Sequence, residues 1–329
     1  MPKDDAGVWT PSAEQQALWP EISGNTINGL GEDVFGPPRP VFWRTDGKSI
    51  SHTDVLFYFY KQDAENPKIA KAREYRMRTA EMPVSDLAPG VTTEPPEGWT
   101  AAVKQAALDA GADHVGICAF RDEWTYTDRP RPSGRWVVVL GFQHGYDNLK
   151  TAPHEDAYVE VMDQYGRAGI AAKKLASWIQ ERGFVAEAKT GPMSEDVIMI
   201  PAAIEAGLGE LGKHGSMIHR KFGASFRLSM VTTDLPVEQD APDIFGADEF
   251  CKSCQVCTNA CPPRAIEPDK QMVRGTEKWY VNFDKCLPFF VENQTCGICL
   301  AVCPWSRPGI ADNLVAKMAR RLPEVAESR

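Results

Sequence analysis

The period of the apolar positions changes several times along the chain, and each change marks a segment. Residues 1–98 hold no period for long, being broken by Pro, Gly and aromatic residues, as in GEDVFGPPRPVFW and the closing PEGW. One helix is predicted in this stretch, near Asn66–Met82. Its Lys68, Lys71, Arg73, Arg76 and Arg78 are interleaved with Glu65, Glu74 and Glu81 at helical spacings, which reads as a solvated face. From Thr100 helices and strands alternate: AAVKQAALDA as a helix, then DHVGICAF and the very apolar RWVVVLGF as strands. A long helix follows from about His154 to Arg182, where Tyr158, Val161, Met162, Tyr165, Ala168, Ala172, Leu175 and Ile179 recur on one face until Gly183 stops it. Then come a short strand (FVAEAK), a helix ending at Gly207 and a strand through Arg227–Thr233. Cysteine, proline and short loops take over from about Gly246 to Pro308, and ADNLVAKMARRL closes as a helix. This order predicts an N-terminal extension (1–98), an α/β domain (99–245), a cysteine module (246–308) and a C-terminal helix (309–329).

Composition narrows the class. With 43% hydrophobic and 25% charged residues the chain can bury a sizeable core, which excludes a disordered protein. No window approaches the ~20 apolar residues of a membrane span, so none is expected. The start, MPKDDAGVWT, lacks both a basic segment leading into an apolar stretch and a twin-arginine pair. The expected address is cytoplasmic, or periplasmic if a leader has been removed. Asp and Glu outnumber Lys and Arg 45 to 36, a net charge of −9, which argues against a nucleic-acid partner and for a small molecule or a protein.

The cysteines carry the sharpest signal. Eight of nine fall in two runs, Cys251-x2-Cys254-x2-Cys257-x3-Cys261-Pro262 and Cys286-x9-Cys296-x2-Cys299-x3-Cys303-Pro304. Paired zinc knuckles use two separated CxxC pairs, whereas two-cluster ferredoxin modules use such runs, with the fourth cysteine crossing to the other cluster. The spacing therefore assigns Cys251, Cys254, Cys257 and Cys303 to one [4Fe–4S] cluster and Cys286, Cys296, Cys299 and Cys261 to a second. The x9 interval lengthens the ferredoxin spacing at Cys286. The ninth cysteine, Cys118, alternates with apolar neighbours and reads as a small buried hydrophobe.

Elsewhere the residues leave alternatives open. The stretch from Gly207 to Gly215, GLGELGKHG, matches GxGxxG, but a helix precedes it where a dinucleotide fold needs a strand. It also misses a phosphate-binding loop, because His214 stands where a hydroxyl is required. What survives is backbone approaching something closely, either a ligand or another strand. The six histidines form no paired zinc spacing. Tyr165 lies on the apolar stripe of the long helix, where most tyrosines are core residues. Arg227 alternates with apolar residues on its strand, and an inward guanidinium needs a partner or a role.

Taken together, GPMSEDVIMIPAAIEAGLGELGKHGSMIHRKFGASFRLSMVTTDLP, FCKSCQVCTNACPPRAI and CGICLAVCPW resemble the corrinoid-dependent reductive dehalogenases over about Arg135–Trp305. The resemblance implies a nitroreductase-like α/β (α+β) domain binding a base-off cobalamin, capped by a ferredoxin-like module with two [4Fe–4S] clusters. It implies Tyr165 as proton donor with Arg227 as the basic residue beside it, since a cation favours the phenolate left by proton delivery. It also implies that Gly209, Leu211, Gly212, His214, Gly215, Thr232 and Thr233 line the corrinoid. The implied activity replaces a carbon–halogen bond of a small organohalide with carbon–hydrogen. No fused flavin and ferredoxin-reductase segment is present, so an external low-potential donor of ferredoxin or flavodoxin type is expected. Two alternatives stay open: an epoxyqueuosine reductase acting on tRNA, against which the acidic charge counts, and a non-catalytic electron carrier with clusters but no corrinoid.

Overall fold

The computed structural model describes residues 7–42, 50–191, 196–293 and 295–322. Residues 192–195 of the GPMSEDVIMI stretch and 323–329 of the C-terminal segment lie outside them. Among the described residues there are eight strands: β1 (His114–Ala119), β2 (Trp136–Gln143), β3 (Ala186–Lys189), β4 (Glu210–Leu211), β5 (Met217–Ile218), β6 (Phe226–Thr233), β7 (Gln271–Val273) and β8 (Thr276–Lys278). Four of them form the main sheet in the order β1-β2-β6-β3, every neighbour antiparallel. The pairs β4–β5 and β7–β8 make two short ribbons.

Both faces of the sheet are covered, which explains why RWVVVLGF reads as an unbroken apolar run. On one face Val138, Leu140 and Phe142 pack against Trp99 and Val103 of the helix Pro96–Asp109 and against Ala172 and Leu175 of the helix Glu155–Gln180. On the other, Val137, Val139 and Met230 meet the helix Met199–Glu205. Strand alternation thus feeds two cores from one strand. Cys118 lies in the second core, its thiol donating to the Ala202 carbonyl at 3.3 Å, and burial pushes it up to about 12.

The long helix runs 26 residues, and the helix Pro67–Ala80 crosses it closely at Gly166, where a Cβ would collide with the Tyr75 ring. The basic run on that crossing helix is less solvated than its spacing suggests. Arg73 lies 4.7 Å from the centre of the Tyr60 ring, and Arg76 donates to the Gly191 carbonyl at 2.6 Å. Only tertiary packing supplies those partners.

The first described residues dock on the cysteine module. Trp9 N donates to Pro262 O (3.2 Å), Gln15 Nε2 to Pro288 O (2.8 Å), and Asn25 Oδ1 accepts from Phe283 N (2.7 Å) and the Tyr280 hydroxyl (2.8 Å). Residues more than 250 positions apart are thereby held in one wall. Among the described residues no helix is long and apolar enough to cross a membrane.

Candidate active site

The register of the sheet sets the polar pair. Along β6, Arg227 and Val231 project to the face that carries the long helix, and Arg227 stands opposite Phe142 of β2. The guanidinium therefore rises beneath the half-buried Tyr165, which sits one turn beyond Met162 on that helix. Arg227 Nη1 donates to the Tyr165 hydroxyl oxygen at 2.7 Å, and its guanidinium carbon lies 4.0 Å from the ring centre. Because the phenol oxygen accepts from a cation that has no proton to take, its own O–H is free to donate elsewhere. His144 lies deep beside this pair. Burial first, and Arg227 second, hold its imidazole well below the usual histidine range, so a neutral ring stands near the guanidinium.

Tyr165 and Arg227 face a cavity of about 1150 Å³, above the usual range for ligand pockets. Its walls come from distant segments: Phe35 and Pro38, Trp124 and Tyr126, Met199, Met217, and Trp279. Cys261, Cys286, Cys296 and Cys299 belong to the same lining. A proton-bearing hydroxyl and four thiols thus border one space. Cations are also in excess there. Arg121 is engaged by Glu205 at 2.9 Å, whereas Arg274 and Lys278 on the β7–β8 ribbon have no ion-pair partner among the described residues. Burial, then Arg274, pushes the Lys278 ammonium down to about 8.

A second, compact cavity is bordered by Cys251, Cys254, Cys257 and Cys303 together with Lys213, His214 and Trp305. The fold therefore gathers the thiols in two sets of four, each set drawing one member from the other run. Burial pushes the thiols of Cys251, Cys286 and Cys303 up to about 12 and that of Cys296 to about 11. Such thiols become thiolates only when a metal supplies the compensating charge. No group of three or more His, Cys, Asp or Glu among the described residues is drawn together as a single ion would require. Four thiols spread around a space suit a polynuclear cluster, in which each sulfur meets a different iron. The buried Lys213 Nζ, which has no hydrogen-bond partner, fits the same conclusion, since an iron–sulfur cluster with its thiolates is anionic.

The expected corrinoid-lining residues divide. Leu211, His214 and Gly215 border the large cavity, and His214 borders both cavities. Its Nδ1 accepts from Ser216 N at 3.2 Å, and burial pushes the ring down to about 4. Gly209 and Gly212 do not border it. Gly209 has φ +143°, and a Cβ there would collide with the Ile218 carbonyl; one at Gly212 would meet the His214 ring at 2.6 Å. At both glycines the close approach the structure shows is to the protein itself. Thr232 and Thr233 do not border the large cavity either. They end β6, some 16–20 Å along the strand from Arg227 at ~3.3 Å per residue, and both are fully buried. The Thr233 hydroxyl donates to Val185 O at 2.7 Å and accepts from Leu235 N at 3.0 Å.

Residues 250–306 match the 4Fe-4S dicluster domain family. A tetrachloroethene reductive dehalogenase of Desulfitobacterium hafniense is 30% identical over 281 residues, covering 67% of this chain and 50% of its own. Among solved structures, the catabolic reductive dehalogenase NpRdhA superposes with a TM-score of 0.73 at 22% identity, over 96% of this chain and 48% of the other. A reductive dehalogenase described as suggesting a mechanism for B12-dependent dehalogenation gives 0.71 at 23% identity, over 93% and 47%. An α/β sheet domain fused to a two-cluster iron–sulfur module is the class these features define. The chain belongs to the reductive dehalogenase family, and it spans about half the length of the curated relative it matches.

Proposed function

We propose that this chain is an oxidoreductase that replaces the carbon–halogen bond of a small organohalide with carbon–hydrogen. The observation that carries the reading is the single cavity bordered on one side by the Tyr165–Arg227 pair and on another by four cysteines of a cluster set. The reaction consumes two electrons and one proton and releases halide, so its site needs an electron source and a proton source against the same ligand. In this reading Cys251, Cys254, Cys257 and Cys303 hold one [4Fe–4S] cluster and Cys261, Cys286, Cys296 and Cys299 the other. The volume and aromatic walls of the cavity fit a cobalamin, which when bound supplies the low-potential cobalt that breaks the carbon–halogen bond.

The chain's own residues then have distinct tasks. Tyr165 delivers the proton from its hydroxyl. Arg227 fixes the phenol oxygen by its 2.7 Å hydrogen bond and stabilises the phenolate that remains. Leu211, His214 and Gly215 contribute to the cofactor's bed. Apolar walls at Trp124, Met199 and Met217 exclude water, which strengthens every charge interaction inside. Electrons arrive from an external low-potential carrier, one at a time.

The test is reconstitution followed by metal analysis and a halide-release assay with a chemical reductant. About eight iron and one cobalt per chain are expected from two cubanes and one corrinoid, with halide released in step with the dehalogenated product. Iron without cobalamin binding would leave only an electron carrier. Retardation of tRNA at low salt, without halide release, would turn the reading to a tRNA-modifying reductase.

A further inference from the structure

Lys213 stands just past the β4 strand, after Gly212, in the turn that returns as β5. Its side chain is 1% exposed, and its Nζ has no hydrogen-bond partner. Two nearby elements carry acids with partners of their own. Asp248 accepts from Trp279 Nε1 at 2.7 Å and from Lys270 Nζ at 2.7 Å, while Glu210 accepts the backbone N–H groups of Phe245 and Ala247 at 2.9 and 2.8 Å. The Lys213 ammonium does lie 4.9 Å from the centre of the Trp279 ring, but Lys270 shares that ring at 5.4 Å, so two cations draw on one aromatic face.

An ammonium in such surroundings is costly unless an anion compensates it. The space it borders is the compact cavity of Cys251, Cys254, Cys257 and Cys303. Its charge acts on Cys257, and its backbone N–H faces Cys251. At the other cysteine set the lysine acting on Cys261 is Lys285, half exposed and 3.4 Å from Glu267, while Arg274 and Lys278 border the much larger cavity those cysteines share. The compact cavity of the Cys251 set is thus bordered by a fully buried cation without a hydrogen-bond partner.

We propose that Lys213 sets the reduction potential of the cluster at Cys251, Cys254, Cys257 and Cys303, its ammonium being the buried counter-charge that favours electron uptake there. This rests on the assignment of those four cysteines to one cluster. On reduction the cluster gains one electron from a one-electron carrier, which is oxidised by one electron; no bond forms or breaks, and the cluster with its thiolates becomes more negative by one charge. A fixed cation interacts more strongly with the more negative state, so it raises the potential. Lys213 is a positioning residue of charge and touches no substrate in this proposal.

The experiment is a redox titration of the whole, cluster-loaded chain with viologen mediators, followed by electron paramagnetic resonance. Lys213→Met and Lys213→Gln are compared with Lys213→Arg, and Cys251→Ala identifies which signal belongs to this site. Met and Gln are expected to make reduction of that cluster about tenfold less favourable, a fall of about 59 mV for one electron, with a smaller change at the other cluster. Arg should restore most of the potential, because it keeps the charge. If Met and Gln lose that cluster while Arg retains it, the counter-charge role also stands. Unchanged midpoints in Met and Gln, or a loss or shift in Arg as large as in Met, would overturn the proposal. A wild-type protein showing one cluster signal and about four iron per chain would instead overturn the cysteine assignment beneath it.

Discussion

Tyr165 shows how little a residue's type says without its neighbour. On the helix stripe it resembles the core residues Tyr158 and Met162, and it does pack on their cluster. What separates it is the Arg227 donor on its oxygen and the cavity beyond its hydroxyl. Tyr165→Phe removes one oxygen and leaves the packing, so turnover should fall by ~10²–10⁴-fold, the usual loss of a general acid, with cofactor content unchanged. Halide release driven by a chemical reductant measures the first and metal analysis the second. Arg227→Lys should lose less activity than Arg227→Ala, since a charge survives although the planar fork does not. Near-normal turnover in Tyr165→Phe would return that residue to the core.

Histidine chemistry at the same scale predicts acid sensitivity. His219 Nδ1 accepts from Lys221 N and Phe222 N, at 3.0 and 3.1 Å, and its Nε2 lies 2.6 Å from His114 Nδ1. Burial, and next His114, push His219 down to about 3, and burial lowers His114 as well. The unfolded chain takes protons at these rings from about pH 6.5, whereas folded His219 refuses them to about pH 3. The unfolded state binds more protons through that window, so stability falls as pH drops through it. His219→Asn keeps a side-chain acceptor for the two N–H groups and cannot titrate. Its melting temperature should fall less between neutral and mildly acidic pH than that of the wild type; parallel curves would show that His219 is not the group responsible.

At the scale of elements, the β4–β5 ribbon joins the two halves of the site. Leu211, His214, Gly215 and Met217 border the large cavity, and Lys213 and His214 border the compact one. The ribbon closes around Gly209, which has φ +143° and where a Cβ would lie 2.1 Å from the Ile218 carbonyl oxygen. Gly209→Ala combines a strained backbone with that collision, and should cost on the order of 1–3 kcal/mol. The same substitution should impair iron incorporation at the Cys251 set. Thermal melting and iron content read the two effects, and an unchanged melting temperature would mean that the ribbon can re-form around the methyl group.

At the scale of the molecule, each thiol set draws one member from the other run, so neither run can build its site alone. Cys303→Ala is expected to damage the same cluster as Cys251→Ala, and Cys261→Ala the one held by Cys296 and Cys299. Paramagnetic spectra of the single variants decide this: if Cys261 and Cys251 substitutions perturbed one signal, the crossed pairing would be wrong. The N-terminal residues enter at this scale too. Trp9, Gln15 and Asn25 are bonded to the module, and Phe35 and Pro38 wall the cavity. Nothing in their own pattern announces this, because no period marks a segment whose partners lie more than 250 residues away.

The sequence by itself determined what is local or periodic. Apolar spacing located the main helices and strands, because burial on one face imposes a repeat of 3.6 or 2. Cysteine spacing announced two sets of four, because cluster ligands in a run must reach one small centre. Tertiary structure alone decided which polar side chains are buried without partners and which segments share a wall. Lys213 and His214 read as the tail of a failed phosphate loop until folding turned them toward the thiols, and only the strand's register places Thr232 and Thr233 at the end far from Arg227. Desolvation and the contacts that answer it are properties of the packed chain, and no short window of sequence contains both members of such a pair.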